Sequence, residues 1–162
     1  NHDRTVVSDR NFRGNAMAAA GVTYARSRID DDQLAWLGGL PVEQTLFDGR
    51  LKVVHGHPDD PDRYTYPREF GPHLLGDEDV LVMGHTHVQG HERYAEGIVM
   101  NPGSVGQPRD GDPRAAYTVL DLDLDALTVE ERRVAYDVDS VQEAIAAAGL
   151  PRRTGARLAE GR

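Results

Sequence analysis

Six of the seven histidines, His2, His55, His57, His85, His87 and His91, lie in or beside loop-forming stretches, and four of them make two His-x-His pairs. In Gly84-His85-Thr86-His87 the glycine lets the backbone turn off an apolar run, and His-x-His spacing in extended geometry puts both rings on one side. A neutral imidazole offers one nitrogen lone pair to a divalent metal, so such a pair can serve one ion or two adjacent ions. His55-Gly56-His57-Pro58 repeats the arrangement after a second apolar run. Either pair alone is equally well explained by chance spacing. Two pairs, each following a strand-like run and each beside a glycine, point to a metal site.

Asn1-His2-Asp3 groups an amide oxygen, an imidazole and a carboxylate. They read either as a ligand beside a proton-transfer pair or as a solvated chain end. Asn101-Pro102-Gly103-Ser104 consists of turn formers. Asp121, Asp123 and Asp125 alternate with Leu122 and Leu124, which is the pattern of a strand with one wet face rather than of a calcium loop. The chain has no cysteine, which removes disulfides, thiolate nucleophiles and thiolate-bound metals. Any metal must be held by nitrogen and oxygen, a set compatible with Mn²⁺, Fe²⁺, Ni²⁺ or Zn²⁺.

The elements that must position these residues follow from local pattern. Arg13–Ser27 is alanine-rich and reads as a helix, and Asp30-Asp31-Asp32 caps a second, short one over 33–37, stopped by Gly38-Gly39 and Pro41. Asp48-Gly49-Arg50 separates two apolar segments as a β-hairpin, whose second strand, Leu51–Val54, runs into His55. Residues 59–72 are crowded with Pro, Asp and Tyr and read as an irregular or briefly helical connection. Val80–Met83 is apolar without alternation, as in a strand covered on both faces, and it ends at Gly84; Ile98–Met100 is a third short strand, ending at Asn101. Ala116–Leu124 and Leu127–Tyr136 form a second hairpin. Ser140 caps a closing helix over 141–148, and the Arg-rich stretch 151–162 reads as a frayed tail. The fold class is α/β.

With 18 basic and 27 acidic side chains the net charge is −9, and all but Lys52 of the basic residues are arginine. Such a surface repels polyanions, which disfavours nucleic-acid binding unless metal ions supply positive charge. No apolar run reaches the length of a membrane-spanning helix and no signal peptide is visible, so the expectation is a cytoplasmic protein.

Taken in order, Asn1-His2-Asp3, His55-Gly56, Gly84-His85-Thr86-His87 and the string from Asn101 to Arg109 resemble the calcineurin-like metallophosphoesterase superfamily, in its small prokaryotic phosphodiesterase-like branch. The resemblance runs from residue 1 to about Ser140. It implies two packed mixed β-sheets flanked by helices, a four-layer sandwich, and two divalent ions, Mn²⁺ foremost. It makes Asn1, His55 and His85 ligands of the second metal and His87 a ligand of the first. His2 resembles the residue that protonates the departing oxygen, with Asp3 orienting it. His57 and His91 fall outside the motif positions and remain pocket-edge candidates. The family's two earlier motifs, an Asp-x-His and a Gly-Asp that supply the bridging carboxylate, are not found ahead of Asn1. Residues 1–150 are therefore expected to be an incomplete domain lacking its first strand–helix–strand unit, and weak or inactive alone. The expected partner is a small phosphoester, with self-association through an exposed sheet edge. A non-catalytic scaffold of the same superfamily is the alternative, and an unrelated single-metal hydrolase using His55, His85 and His87 ranks last.

Overall fold

The computed structural model describes residues 1–8, 15–123 and 126–162 as two compact units, Asn1–Pro41 with Asp137–Ala159, and Val42–Tyr136 with Glu160–Arg162. The first is helical: α1 (His2–Val7), α2 (Ala16–Arg26), α3 (Asp31–Gly38), α4 (Val138–Ala147) and α5 (Arg152–Ala156). Asn15 caps α2 by accepting from the Ala18 amide at 2.9 Å. Asp30 and Gln33 close a reciprocal capping box on α3, at 2.8 and 3.0 Å. Arg26, in the last turn of α2, donates to the carbonyls of Thr5 and Val6 at 2.5 and 2.9 Å, satisfying oxygens that the end of α1 leaves without helical partners. Among the described residues no helix is long and apolar enough to cross a membrane.

Two expectations are corrected in this unit. The cap of α4 is Asp137, whose carboxylate accepts from the Ser140 amide and hydroxyl at 3.0 and 2.6 Å, so Ser140 lies inside the first turn. Residues 151–162, expected to fray, instead carry α5 and a 3-10 turn over Arg157–Glu160. A Cβ at Gly155 would lie only 3.3–3.5 Å from Gln142 on α4, and the Gln142 amide donates to the Gly155 carbonyl at 3.2 Å. Leu158 is buried.

The second unit packs two sheets. β1 (Glu43–Leu46), β2 (Leu51–Val54), β3 (Val80–Met83), β4 (Gly90–Arg93) and β5 (Ile98–Asn101) form a five-stranded mixed sheet in the order β1-β2-β3-β5-β4. β2, β3 and β5 are parallel neighbours, with antiparallel β1 and β4 at the edges. β6 (Ala115–Leu122) and β7 (Leu127–Val134) make an antiparallel pair. Leu51, Val80, Ile98 and Met100 face Leu120, Leu122, Leu127 and Val129 across the inter-sheet core. On the opposite face Val54, Leu81, Met83 and Val99 are covered by Leu74 with Phe70, Leu75 and Tyr94. The strand β3 is thus buried on both faces, as its unbroken apolar run requires.

Polar ties fix the two sheets to each other. Arg50 pairs with Asp79 at 2.6 Å and donates to the Leu122 carbonyl at 2.8 Å. Arg133 of β7 forks onto Asp110 and reaches Gln89 at 2.7 Å, and the Gln89 side chain donates to the Pro102 and Tyr117 carbonyls. This node ties the loop after β5 to β6 and β7. Burial pushes the Asp110 carboxyl up, but the Arg133 guanidinium and the backbone amides of Gln89 and Asp112 together hold it below the usual range.

Candidate metal-binding site

Parallel pairing of β2 and β3 brings His55 and Gly84-His85 out side by side at the carboxyl end of the sheet, where α/β sheets commonly bind ligands. The ladder continues one step beyond the strands, with the Gly84 amide donating to the His55 carbonyl at 2.8 Å. The His55 and His85 ring centroids lie 4.7 Å apart, with their planes at 55°. Gly56 is required by what crosses it: a Cβ there would sit 2.5 Å from the Pro61 carbonyl oxygen and 2.9 Å from that of Arg63. That close passage lets the loop 57–64 fold back onto His85.

His85 Nε2 lies 3.1 Å from the Asp62 carbonyl. A carbonyl only accepts, so the proton is on Nε2 and the lone pair on Nδ1. By the same argument His87, whose Nδ1 lies 2.7 Å from the Gln107 carbonyl, carries its lone pair on Nε2. Burial disfavours the imidazolium at His85 and lowers its pKa against the opposing pull of the Asp62 carbonyl, and so favours the neutral ring that a metal would require.

The loop is not extended as the spacing argument assumed. His85 and His87 both adopt left-handed backbone, at φ 64° and 61°, a conformation costly for residues other than glycine and concentrated at functional sites. Asn101 at the end of β5 holds it: its side-chain amide donates to the Gly84 carbonyl at 2.6 Å and to the Thr86 hydroxyl at 2.9 Å, while its oxygen accepts from the Gly103 amide at 2.9 Å. Asn101 and Thr86 are almost wholly buried. The Arg109 amide closes the turn onto the His87 carbonyl at 3.0 Å.

Residues 9–125 match the calcineurin-like phosphoesterase superfamily domain. The chain belongs to that superfamily. An uncharacterized Methanocaldococcus jannaschii protein, MJ0912, is 29% identical over 182 residues, covering 100% of this chain and 74% of the relative. The phosphodiesterase YfcE of Escherichia coli is 37% identical over 102 residues, 60% of this chain and 49% of YfcE. A solved metallophosphoesterase from Sphaerobacter thermophilus superimposes with a TM-score of 0.81 at 30% identity, over 100% of this chain and 75% of that one. These relatives place the chain in the small prokaryotic branch of the calcineurin-like phosphoesterases, and the fold is the α/β arrangement of packed sheets that the motifs implied.

As a calcineurin-like phosphoesterase the chain is expected to use divalent metal, and its donor set fits that role. The candidate ligands are neutral imidazoles, with His85 and His87 each turned by a backbone carbonyl so that one ring nitrogen keeps its lone pair. Among the described residues no three His, Asp or Glu side chains converge into a metal cage. Asn1, His2 and Asp3 open α1, with Asn1 at its N-cap accepting from the Thr5 amide and hydroxyl through its carbonyl at 3.1 and 2.9 Å. His57 is excluded as a ligand in this arrangement, because its Nδ1 accepts the Asp59 amide at 3.1 Å and its proton must be on Nε2. His91, on β4, pairs with Glu131 of β7 at 2.6 Å. Asp121 and Asp123 are exposed, in line with a wet strand face, and Asp125 lies outside the described residues. Asn101, expected as a turn former at the end of its strand, instead anchors the Gly84–His87 turn from a buried position, whereas nothing local in the sequence marks Tyr64.

Proposed function

We propose that this chain contributes to a metal-dependent phosphoesterase that hydrolyses phosphodiester or phosphomonoester bonds of small substrates in the cytoplasm, at a dinuclear site favouring Mn²⁺. His55, His85 and Asn1 hold the second ion and His87 the first. Bound there, divalent ions would supply a water of lowered pKa and positive charge for the phosphoryl oxygens, which a chain of charge −9 needs in order to attract phosphate. His2 gives a proton to the departing oxygen and Asp3 orients its ring. The observation that carries the reading is the His55–His85 pair, 4.7 Å apart at the ends of adjacent parallel strands in a member of this superfamily. The activity in the name of YfcE supports a phosphodiester as one substrate class.

The candidate ligands are three imidazoles and one amide, with no carboxylate among them to bridge two ions. We expect Mn²⁺ binding but weak turnover from these 162 residues alone. Calorimetric titration with Mn²⁺, followed by a chromogenic phosphodiester assay, tests this. Stoichiometric uptake lost in His85→Ala supports the site, and absence of uptake overturns it. Robust turnover, equally lost in His85→Ala, would keep the function and overturn the expected weakness. The alternative is a non-catalytic binding protein of the same superfamily, for which a metal-free, self-associating protein would be the result.

A further inference from the structure

The histidine site carries an aromatic extension that its metal chemistry does not use. The Tyr64 ring lies against the His85 imidazole, centroids 3.9 Å apart and planes 21° from parallel. Tyr66 continues the orientation, 6.2 Å from Tyr64 and 17° off parallel, and the Arg68 guanidinium carbon stands 4.5 Å from the centre of the Tyr66 ring. Four flat π-systems therefore run in series from a candidate ligand through two phenols to a cation. Core packing does not account for them. Tyr64 is 45% exposed, Arg68 is exposed, and neither tyrosine belongs to the two apolar clusters of the sheet unit.

The geometry points to a stacking platform for the alcohol portion of the substrate: the Tyr64–Tyr66 ladder favours phosphoesters carrying a flat aromatic ring, nucleoside phosphates foremost, over aliphatic ones. This rests on the phosphoesterase reading and narrows its substrate class. A phosphoryl group held at His85 has its ester substituent beginning beside Tyr64. Tyrosine offers broad, rigid contact area at small entropic cost, and stacking is indifferent to ring identity because every base has a π-face. Arg68 extends the stack by cation–π attraction. The charge of −9 argues for a mononucleotide-sized ligand rather than a polynucleotide, whose many phosphates the surface would repel.

The test is binding of adenosine 5′-monophosphate, phenyl phosphate and glycerol 3-phosphate to the Mn²⁺-supplemented chain, by calorimetry and saturation-transfer NMR. Adenosine monophosphate is expected to bind roughly tenfold tighter than glycerol phosphate, with transfer to its base protons. Tyr64→Leu should abolish that ratio and Tyr64→Phe should keep it. Phenyl phosphate matching the nucleotide supports a platform for any aromatic ring, and phenyl phosphate matching glycerol phosphate supports one for nucleobases. Equal affinity for all three overturns the platform and leaves the phosphoesterase reading standing; no binding of any of them overturns both. If Tyr64→Leu does not fold, Tyr66→Ala must lower the same ratio, and an unchanged ratio overturns the proposal.

Discussion

The two His-x-His pairs are near twins in sequence and differ in what their backbones do to them. Each follows an apolar strand, each sits beside a glycine, and the strands are parallel neighbours. In Gly84-His85-Thr86-His87 the left-handed turn presents both rings to backbone carbonyls, which take the protons and leave a lone pair on each ring. In His55-Gly56-His57 the second ring faces an amide, Asp59, which takes the lone pair instead. Spacing selects candidates, but the hydrogen-bond partner of the other ring nitrogen decides which can be a ligand.

The glycines of the two turns should differ most in their tolerance of change. A Cβ at Gly56 meets backbone oxygens at 2.5 and 2.9 Å, whereas at Gly84 the nearest atom is the His55 carbonyl oxygen at 3.3 Å. Gly56→Ala is expected to destabilise by about 3 kcal/mol and Gly84→Ala by about 1 kcal/mol in urea unfolding. Equal costs would mean that the loop over Gly56 moves aside readily, and would break the contrast. Asn101→Leu comes next, at about 2 kcal/mol, because it strips partners from the buried Thr86 hydroxyl and the Gly84 carbonyl. The same variant should weaken Mn²⁺ binding through the Gly84–His87 turn, with no effect on the Asp59–His57 contact. Amide chemical shifts of Asp59 and Thr86 read the two turns separately.

Much of this was legible because it is local or periodic. The N-cap at Asp30, the Asp48-Gly49 hairpin and the unbroken apolar run of β3 each follow from a few adjacent residues. What escaped depends on partners distant in sequence. β4 is Gly-His-Glu-Arg, an edge strand with no apolar face to announce it. The left-handed histidines are imposed by Asn101 from 15 to 17 residues away, and the inter-sheet node joins Arg133 to residues 19 to 44 positions distant. Asp137 and Ser140 are both good caps three residues apart, and only the turn they close distinguishes them. The motifs themselves were readable, but the tautomer that suits one histidine to a metal and another to a strut was not.

A direct measure of that tautomer rule compares two conservative replacements. His57→Asn keeps an oxygen in place of the accepting Nδ1, and His85→Gln keeps an amide donor in place of Nε2 facing Asp62. His85→Gln should lower Mn²⁺ affinity at least tenfold, about 1.4 kcal/mol, while His57→Asn stays within about twofold. Comparable losses in both would mean that His57 turns over to ligate and that its contact with Asp59 is incidental.

The smallest effect expected is on the pH dependence of stability without metal. Burial lowers the pKa of His85 from its ordinary value of 6.5, so near and below that pH the unfolded chain binds a proton that the folded chain resists. The contribution is therefore complete above pH 6.5 and is lost as the pH falls through the depressed native value. In His85→Gln this part of the acid-side decline disappears, and the urea midpoint should fall less between pH 7 and pH 5 than in the parent. A parallel decline in the two proteins would show that the His85 ring reaches water in the metal-free state, and that the Asp62 carbonyl and the Tyr64 ring do not shield it.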